Sequence, residues 1–249
     1  VEIDSPEKGC WISMVHPDEE EVQRIAQQTG ADFDMLKAPL DPEERARIDA
    51  EDNTSLILVD IPTLEMEGKD FVYSTIPLGI LTTENHLITV CLKDSHIMRD
   101  FAQNHVKGFF TYKKTRFILQ ILYRNASRYL QYLRQIDKKT NAIETELQRT
   151  LRNQELMQLM RLEKSLVFFA TSLKSNEIVL EKLLRSDLIR RFPDDEDLLE
   201  DVIIENKQAI EMCAIYRDIL SSTMDAFSSV ISNNVNDIMK VLTSLTLVL

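Results

Sequence analysis

Glycine and proline are distributed very unevenly along this chain of 249 residues. All 5 glycines precede residue 109, and only Pro193 of the 7 prolines lies beyond residue 77. Because these two residue types are the main local breakers of regular structure, short elements are expected in the first half and long helices in the second. We therefore predict an α+β fold: an N-terminal α/β sheet domain, then long antiparallel helices and a very long stalk helix.

Residues 1–108, the first predicted domain, contain signals for both strands and short helices. A strand is expected at residues 10–15, and a helix should begin near Pro17 and end at Gly30. The segments ADFDMLKAPL and DPEERAR each suggest a short helical turn. Two strands around an Asp-Asn turn fit RARIDAEDNTSLILVDIP, and residues 71–81 and 86–92 form a further predicted hairpin.

Residues 109–193 and 194–249 are predicted as two helical segments. In the first, apolar residues recur every three or four positions from about Tyr112, with a turn expected near residues 150–153. The second antiparallel helix should end near residues 190–191, where basic side chains suit a helix C-terminus. After the break RFPDDEDLLED, Asp194 or Asp195 can cap a last helix that runs from about residue 196 to the end.

A heptad seam of the coiled-coil type runs along this last helix. Polar residues interrupt it at Asn206, Arg217 and Asn234. Its members are Leu199, Ile203, Asn206, Ile210, Cys213, Arg217, Leu220, Met224, Phe227, Ile231, Asn234, Ile238, Val241, Leu245 and Val248. A helix of this length, on the order of 80 Å, must pack against neighbouring helices or copies of itself.

A polar stripe occupies another face of the same helix. Its members are Asp218, Ser222, Asp225, Ser229, Ser232, Asn236, Met239 and Thr243. A solvated face is one interpretation, but the stripe nearly lacks the Lys, Arg and Glu residues that normally fill exposed helix surfaces. Small oxygen-bearing side chains also suit a narrow water-filled passage that holds a hydrated cation such as Mg²⁺.

The carboxyl-terminal residues are unusually apolar. After Lys240 there is no charged side chain, and the run of about nine residues is shorter than the roughly 20 that a helix needs to cross a bilayer. We interpret this tail as the beginning of a membrane span whose remainder lies outside the chain. The sequence would then be the water-facing part of a membrane protein.

Composition limits the possible partners and chemistry. The net charge of −12 argues against binding to nucleic acid. The three cysteines are isolated, which fits a reducing compartment, and the amino-terminal residues are too charged for an export signal. With no glycine-rich phosphate loop, nucleophile motif or paired His and Cys, an enzyme is not expected.

Two passages of the second half resemble the CorA family of divalent-cation channels. The run NNVNDIMKVLTSLTLVL, preceded by YRDILSSTMDAFSSVISNN, is similar to the passage that leads from the family's stalk helix into its first transmembrane helix. KSLVFFATSLKSNEIVLEKLLRS also resembles the family's long cytosolic helices. The resemblance covers residues 110–249. It implies a funnel-shaped homopentamer in the cell (inner) membrane, with this chain on the cytoplasmic side and Mg²⁺ as the transported and regulatory ion, other divalent cations being possible.

The resemblance also implies roles for individual residues. Asp225 matches an acidic ring. Asp201 matches a position that binds a regulatory cation between adjacent subunits. The candidate partners of Asp201 in the neighbouring subunit are Glu65, Glu67 and Asp70. Cation binding there would stabilise the closed state. The implied pore-lining residues are Ser232, Asn236, Met239, Leu242 and Thr243.

Two alternatives remain open from the sequence. The Gly-Met-Asn selectivity signature of the family does not occur in residues 1–249, so a zinc-transporting, ZntB-like member is possible. A membrane-tethered coiled-coil scaffold would explain the long helices and the heptads equally well, but it does not predict the uncharged part of the polar stripe.

Overall fold

A computed structural model of the chain describes residues 5–51, 53–67, 70–150, 153–186 and 193–248, with backbone only at residues 67, 70, 150, 193–194, 231–238 and 241–248. Five strands and six α-helices, with one 3-10 turn, make up this described part and confirm the predicted α+β fold. In chain order they are β1 (Trp11–Val15), α1 (Glu19–Thr29), α2 (Phe33–Lys37), a 3-10 turn (Ala38–Leu40), β2 (Arg47–Glu51), β3 (Thr54–Glu67), β4 (Asp70–Thr82), β5 (Leu87–Cys91), α3 (His96–Ala102), α4 (Lys114–Thr150), α5 (Asn153–Arg185) and α6 (Pro193–Val248).

Local sequence signals define helix α1. The Asp18 carboxylate accepts a hydrogen bond from the Glu21 backbone N–H at 2.8 Å, and the Glu21 carboxylate accepts one from the Asp18 N–H at 3.1 Å. This reciprocal pair satisfies amide groups that have no partner inside the helix. Gly30 ends the helix in the left-handed region, with φ of 70°, where glycine carries no steric penalty. Both predicted ends of this helix are therefore correct to within two residues.

The sheet is mixed, with the strand order β1-β5-β4-β3-β2. β1 is parallel to β5, and all other neighbours are antiparallel. β3 and β4 stay paired as far as Glu67 and Asp70, whereas β2 begins opposite Leu58 and β5 ends opposite Leu78. The β3–β4 hairpin therefore extends beyond the rest of the sheet.

The helical turn predicted for DPEERAR is wrong. Residues 41–43 form a turn, in which the Asp41 carboxylate accepts a hydrogen bond from the Glu43 N–H at 2.9 Å, and β2 begins at Arg47. An Asp side chain that binds the backbone two residues ahead favours such a turn over a helix. Pairing with β3 then holds the following residues in extended form.

Both faces of the sheet are buried. Leu56 and Leu58 of β3 pack with α1 and α2 on one face, whereas Ile57, Val59 and Ile61 pack on the other. The second face is covered by α3 and by parts of α4, α5 and α6. Double-sided burial explains why this strand is an apolar run rather than an alternating one.

Beyond the sheet, α4, α5 and α6 pack together around a separate apolar core. Tyr129 of α4 and Phe169 of α5 are fully buried there, with ring centroids 5.0 Å apart. Tyr73 of β4 joins them, its ring 6.2 Å from that of Phe169. The extended hairpin is thus anchored on the helices through an aromatic contact.

The helix boundaries follow the predictions with two differences. α4 ends at Thr150 and α5 begins at Asn153, which agrees with the break expected near residues 150–153. α5 ends at Arg185, earlier than residues 190–191, and residues 187–192 lie outside the described part. α6 begins at Pro193, because proline is favourable at the first position of a helix. The division at residues 108 and 193 into three domains stays a prediction.

Substituting Gly79 by alanine should destabilise the sheet through a steric clash. A Cβ atom on Gly79 would lie 2.2 Å from Cγ of Pro39, which is buried in the 3-10 turn. Relief of this overlap requires shifts of packed atoms, so we expect a loss of about 1–3 kcal/mol in the free energy of unfolding. Chemical denaturation of Gly79→Ala measures it. The double variant with Pro39→Ala, which lacks the clashing atom, should lose less than the sum of the two single changes; strict additivity would contradict the steric explanation.

Candidate functional site

The predicted heptad seam of α6 packs against the protein's own helices. Leu199, Cys213 and Leu220 are buried in the apolar cores that α6 shares with α4 and α5. The polar position Asn206 is also buried, and its amide donates a hydrogen bond to the Leu173 carbonyl of α5 at 3.3 Å. Arg217, another polar break, is exposed, and its guanidinium lies 3.5 Å from the Asp218 carboxylate. The described part of the seam is therefore largely an intramolecular contact.

The polar stripe lies on the opposite, exposed face of α6. At about 100° per residue, Asp218 and Leu220 point about 200° apart around the helix axis. The five stripe residues whose side chains are described are all exposed, namely Asp218, Ser222, Asp225, Ser229 and Met239. Within the described part of the chain, no other element covers that row of oxygen-bearing groups as a whole.

The serine hydroxyls of the stripe are bound to their own helix. Ser222 donates to the Asp218 carbonyl at 2.9 Å, and Ser229 donates to the Asp225 carbonyl at 3.0 Å. This back-bonding satisfies each hydroxyl proton while the hydroxyl oxygen keeps lone pairs directed away from the helix. The face consequently presents oxygen acceptors and carboxylates to whatever approaches it.

Exposed apolar side chains lie next to the stripe. Ile204, Ile215 and Ile219 of α6 are each more than half exposed, at 61%, 55% and 51%. Val230 is 43% exposed further along the helix. Isolated exposed apolar residues are ordinary, but a row of them along one long helix indicates an interaction surface.

The two predicted metal ligands lie far apart in the chain. Asp201 and Asp225 are both exposed on α6, and their 24-residue separation corresponds to about 36 Å along the helix. Within the described residues, no group of three or more His, Cys, Asp or Glu side chains could hold a metal ion.

The remaining predicted site residues are only partly described. Met239 is 55% exposed, and the Glu65 carboxylate forms an ion pair with Lys93, at 2.7 Å. The predicted residues whose side chains lie outside the described part are Glu67, Asp70, Ser232, Asn236, Leu242 and Thr243. The roles of all these residues stay predictions.

One polar cluster was missed by sequence reasoning. Asp60 lies within the apolar strand β3, where its side chain and backbone are hydrogen-bonded to polar residues of α4 and α5. An acidic residue inside the run SLILVDI was the available signal, since buried strands rarely carry a carboxylate without polar partners.

A membrane span is not found in the described residues. No helix among them has both the length and the apolar composition needed to cross a bilayer.

Comparisons with known proteins agree with the architecture and with the tail motif. The family model described as "CorA-like Mg2+ transporter protein" matches residues 6–249. The cobalt/magnesium transport protein CorA of Methanocaldococcus jannaschii is 27% identical over 245 residues, covering 95% of this chain and 74% of that protein. The complete structure of that organism's CorA magnesium transporter superposes with a TM-score of 0.82 at 26% identity, again covering 95% of this chain and 74% of the other.

Two partial structures are similar as well. The soluble domain of the Methanocaldococcus jannaschii CorA gives a TM-score of 0.77 at 25% identity, with 86% of each chain covered. The ZntB cytoplasmic domain from Vibrio parahaemolyticus gives 0.67 at 13% identity, over 94% of this chain and 91% of the other, and shares the fold alone. The sequence match over nearly the whole chain establishes that this protein belongs to the CorA-like Mg²⁺ transporter family.

Proposed function

We propose that this chain is the cytosolic sensing and gating portion of a membrane transporter for Mg²⁺ or another divalent cation. Cations bound between subunits of a homopentamer would stabilise its closed state, with the transporter in the cell (inner) membrane and this chain on its cytoplasmic side. The family's description as a transporter agrees with the expectation that the chain is not an enzyme.

The exposed face of α6 is the observation that supports this proposal best. The helix already uses its heptad seam for contacts with α4 and α5, so further copies would meet it on the other side. That side carries Asp218, Ser222, Asp225 and Ser229 in a single row. Rotational symmetry about an axis next to this row would turn each residue into a ring of identical oxygen-bearing groups.

These side chains have suitable chemistry for a hard divalent cation. Carboxylate and hydroxyl oxygens are the preferred ligands of Mg²⁺, which usually keeps several of its waters. Asp201 and Asp225 each contribute one carboxylate per chain, and a ring of copies would bring several such carboxylates together. Like charges in such a ring repel one another when no cation is present, so cation binding favours the symmetric arrangement.

The regulatory role of Asp201 can be tested by assembly of the 249-residue chain. We expect millimolar Mg²⁺ to raise the pentamer fraction in analytical ultracentrifugation and to slow limited proteolysis. In Asp201→Ala both effects should fall severalfold, because the carboxylate that bridges adjacent subunits through the cation is lost. Glu200→Ala is the matched control, since it removes a neighbouring exposed acid of the same helix that points about 100° away.

The outcomes separate the competing functions. Equal responses of the wild type and Asp201→Ala to Mg²⁺ would exclude the regulatory role of Asp201. Assembly that depends on Zn²⁺ and not on Mg²⁺ or Co²⁺ would favour a ZntB-like transporter. Cation-independent association, unchanged by either substitution, would favour the coiled-coil scaffold.

A further inference from the structure

Asp60 occupies a position where the sheet edge meets the helices. β2 stops pairing with β3 at Leu58, so the backbone of Asp60 lies just beyond the last paired residue on that side. On its other side, β3 continues to pair with β4, and Asp60 lies opposite Pro77. The polar groups of the Asp60 backbone therefore need partners from outside the sheet.

Side chains of α4 and α5 supply those partners. The Asn176 amide accepts a hydrogen bond from the Asp60 N–H at 2.8 Å and donates one to the Asp60 carbonyl, also at 2.8 Å. Asn125 donates to the same carbonyl at 2.9 Å, and the Tyr129 hydroxyl donates at 3.2 Å. Asn176 thus continues the strand ladder with a side chain, and the three residues fix the sheet against both helices.

The Asp60 carboxylate has a different set of neighbours. It is hydrogen-bonded to the hydroxyl of Ser172 on α5, whose oxygen lies 3.0 Å from the Thr75 hydroxyl of β4. Burial raises the pKa of Asp60 from its usual 3.8 to about 6, and the hydrogen bond from Ser172 opposes this increase. The cluster accordingly contains a carboxylate whose charge changes close to neutral pH.

The other titratable groups of the cluster stay neutral in this range. From α4, the Tyr129 phenol faces Asp60, and burial together with the Asp60 charge raises its pKa well above its usual value. Behind it, on α6, burial raises the pKa of the Cys213 thiol to about 11. The groups contributed by α5 and β4 are the uncharged Ser172, Asn176 and Thr75. Proton uptake near pH 6 in this cluster thus belongs to Asp60.

We propose that Asp60, Ser172 and Thr75 form a proton-responsive joint that tightens the packing of α5 on the sheet when Asp60 takes up one proton from solvent. With Asp60 charged, the Ser172 hydroxyl donates to the Asp60 carboxylate. With Asp60 protonated, Asp60 donates to Ser172, and Ser172 donates to the Thr75 hydroxyl. The Ser172 hydroxyl can change direction without moving its oxygen atom, while the partly buried negative charge of Asp60 disappears.

The joint is connected to the long helix by the neighbouring turn of α5. Leu173, next to Ser172, provides the carbonyl that accepts the hydrogen bond from Asn206 of α6. When the turn of α5 that contains Ser172 and Leu173 packs more firmly on the sheet, the hydrogen bond between α5 and α6 is therefore stabilised as well.

The direction of the pH effect follows from the raised pKa. The Asp60 carboxyl has a pKa of about 6 in the packed state and the usual 3.8 when a local opening exposes it to solvent. Protonation therefore stabilises the packed state increasingly as the pH falls through 6. Above that range, the contribution of Asp60 to the opening equilibrium is constant. Between about pH 7.5 and about pH 5.5, the equilibrium constant for openings that expose Asp60 should fall about fourfold. Amide hydrogen exchange in residues 172–180, corrected for the intrinsic rate of exchange, measures this ratio.

Three variants test the assignment. In Asp60→Asn, which has the same shape and no titration, the fourfold change should disappear, and protection should be high at both pH values. Ser172→Ala keeps the charge but loses a hydrogen bond to it, so the midpoint of the change should move to higher pH. Asp34→Asn, an exposed residue of α2, is the matched control and should keep the fourfold change.

Two results would overturn the joint. One is a pH dependence in Asp60→Asn equal to that of the wild type. The other comes from ¹³C NMR titration of the Asp60 carboxyl in the wild-type chain, which needs no variant to fold: a midpoint near 6 is expected, and one near the usual 3.8 would contradict the proposal.

Discussion

Replacing Phe169 by alanine is expected to lower the free energy of unfolding by about 3–5 kcal/mol. The Phe169 side chain is fully buried in the core shared by α4, α5 and α6. Its ring meets those of Tyr73 and Tyr129 edge-on, with centroid distances of 6.2 and 5.0 Å. Its removal leaves a cavity between the extended hairpin and the helices, and both aromatic contacts are lost. Urea denaturation followed by circular dichroism measures the change.

The adjacent residue provides the control for this substitution. Phe168 is 41% exposed on the outer side of α5, where its ring lies near the Lys164 ammonium group. Phe168→Ala should therefore cost less than about 1 kcal/mol. A similar loss for the two alanine variants would mean that α5 is rotated about its axis relative to the described packing.

Replacing Asn176 by leucine should cost roughly 2–4 kcal/mol although the volume of the side chain hardly changes. The substitution removes two hydrogen bonds to the Asp60 backbone, both of 2.8 Å. The Asp60 carbonyl keeps Asn125 and Tyr129 as donors, but the Asp60 N–H loses its acceptor. A buried donor without a partner costs about 1–3 kcal/mol in addition to the bond itself. Thermal and urea unfolding both report this loss.

A second buried asparagine gives the matched comparison. The Asn206 amide donates a hydrogen bond to the Leu173 carbonyl. Because Leu173 lies inside helix α5, its carbonyl does not depend on Asn206 for a hydrogen-bond partner. Leucine at this position would continue the apolar seam of α6, so we expect Asn206→Leu to change the stability by less than about 1 kcal/mol. If both asparagines responded equally, burial alone, and not the loss of an acceptor, would explain the cost at Asn176.

Much of the fold could be predicted because its signals are local. The capping pair of Asp18 and Glu21 and the left-handed Gly30 act within a few residues of themselves, and α1 has the expected ends. The absence of glycine after Gly108 correctly predicted the long helices. The helical turn predicted for DPEERAR was wrong although its signal is also local, because the Asp41 side chain binds the Glu43 N–H and favours a non-helical turn.

The candidate site could be predicted only in part. Three-and-four spacing identified the seam of α6 but not its partner, since the same pattern fits contacts with α4 and α5 or with other copies. The described side chains of the stripe are exposed on one face of α6, as three-and-four spacing predicts, whereas the proposed role of Asp201 depends on a neighbouring subunit that the sequence of one chain does not specify. The Asp60 cluster brings together residues that are distant in the sequence, such as Asp60 and Asn176, which are 116 positions apart. Patterns of residue spacing within one helix or strand cannot predict such a contact.

The described apolar contacts of α6 hold the earlier part of this helix against the helical core. Its last described apolar contact with the helical core is at Phe227, and the helix continues to Val248, about 32 Å further. A tilt of about 5° at Phe227 would move the far end by about 3 Å, which is comparable to the diameter of a water molecule. Such a tilt is too small to disrupt the core around Tyr129 and Phe169. At the far end of α6 it would nevertheless produce a displacement as large as a single hydration shell.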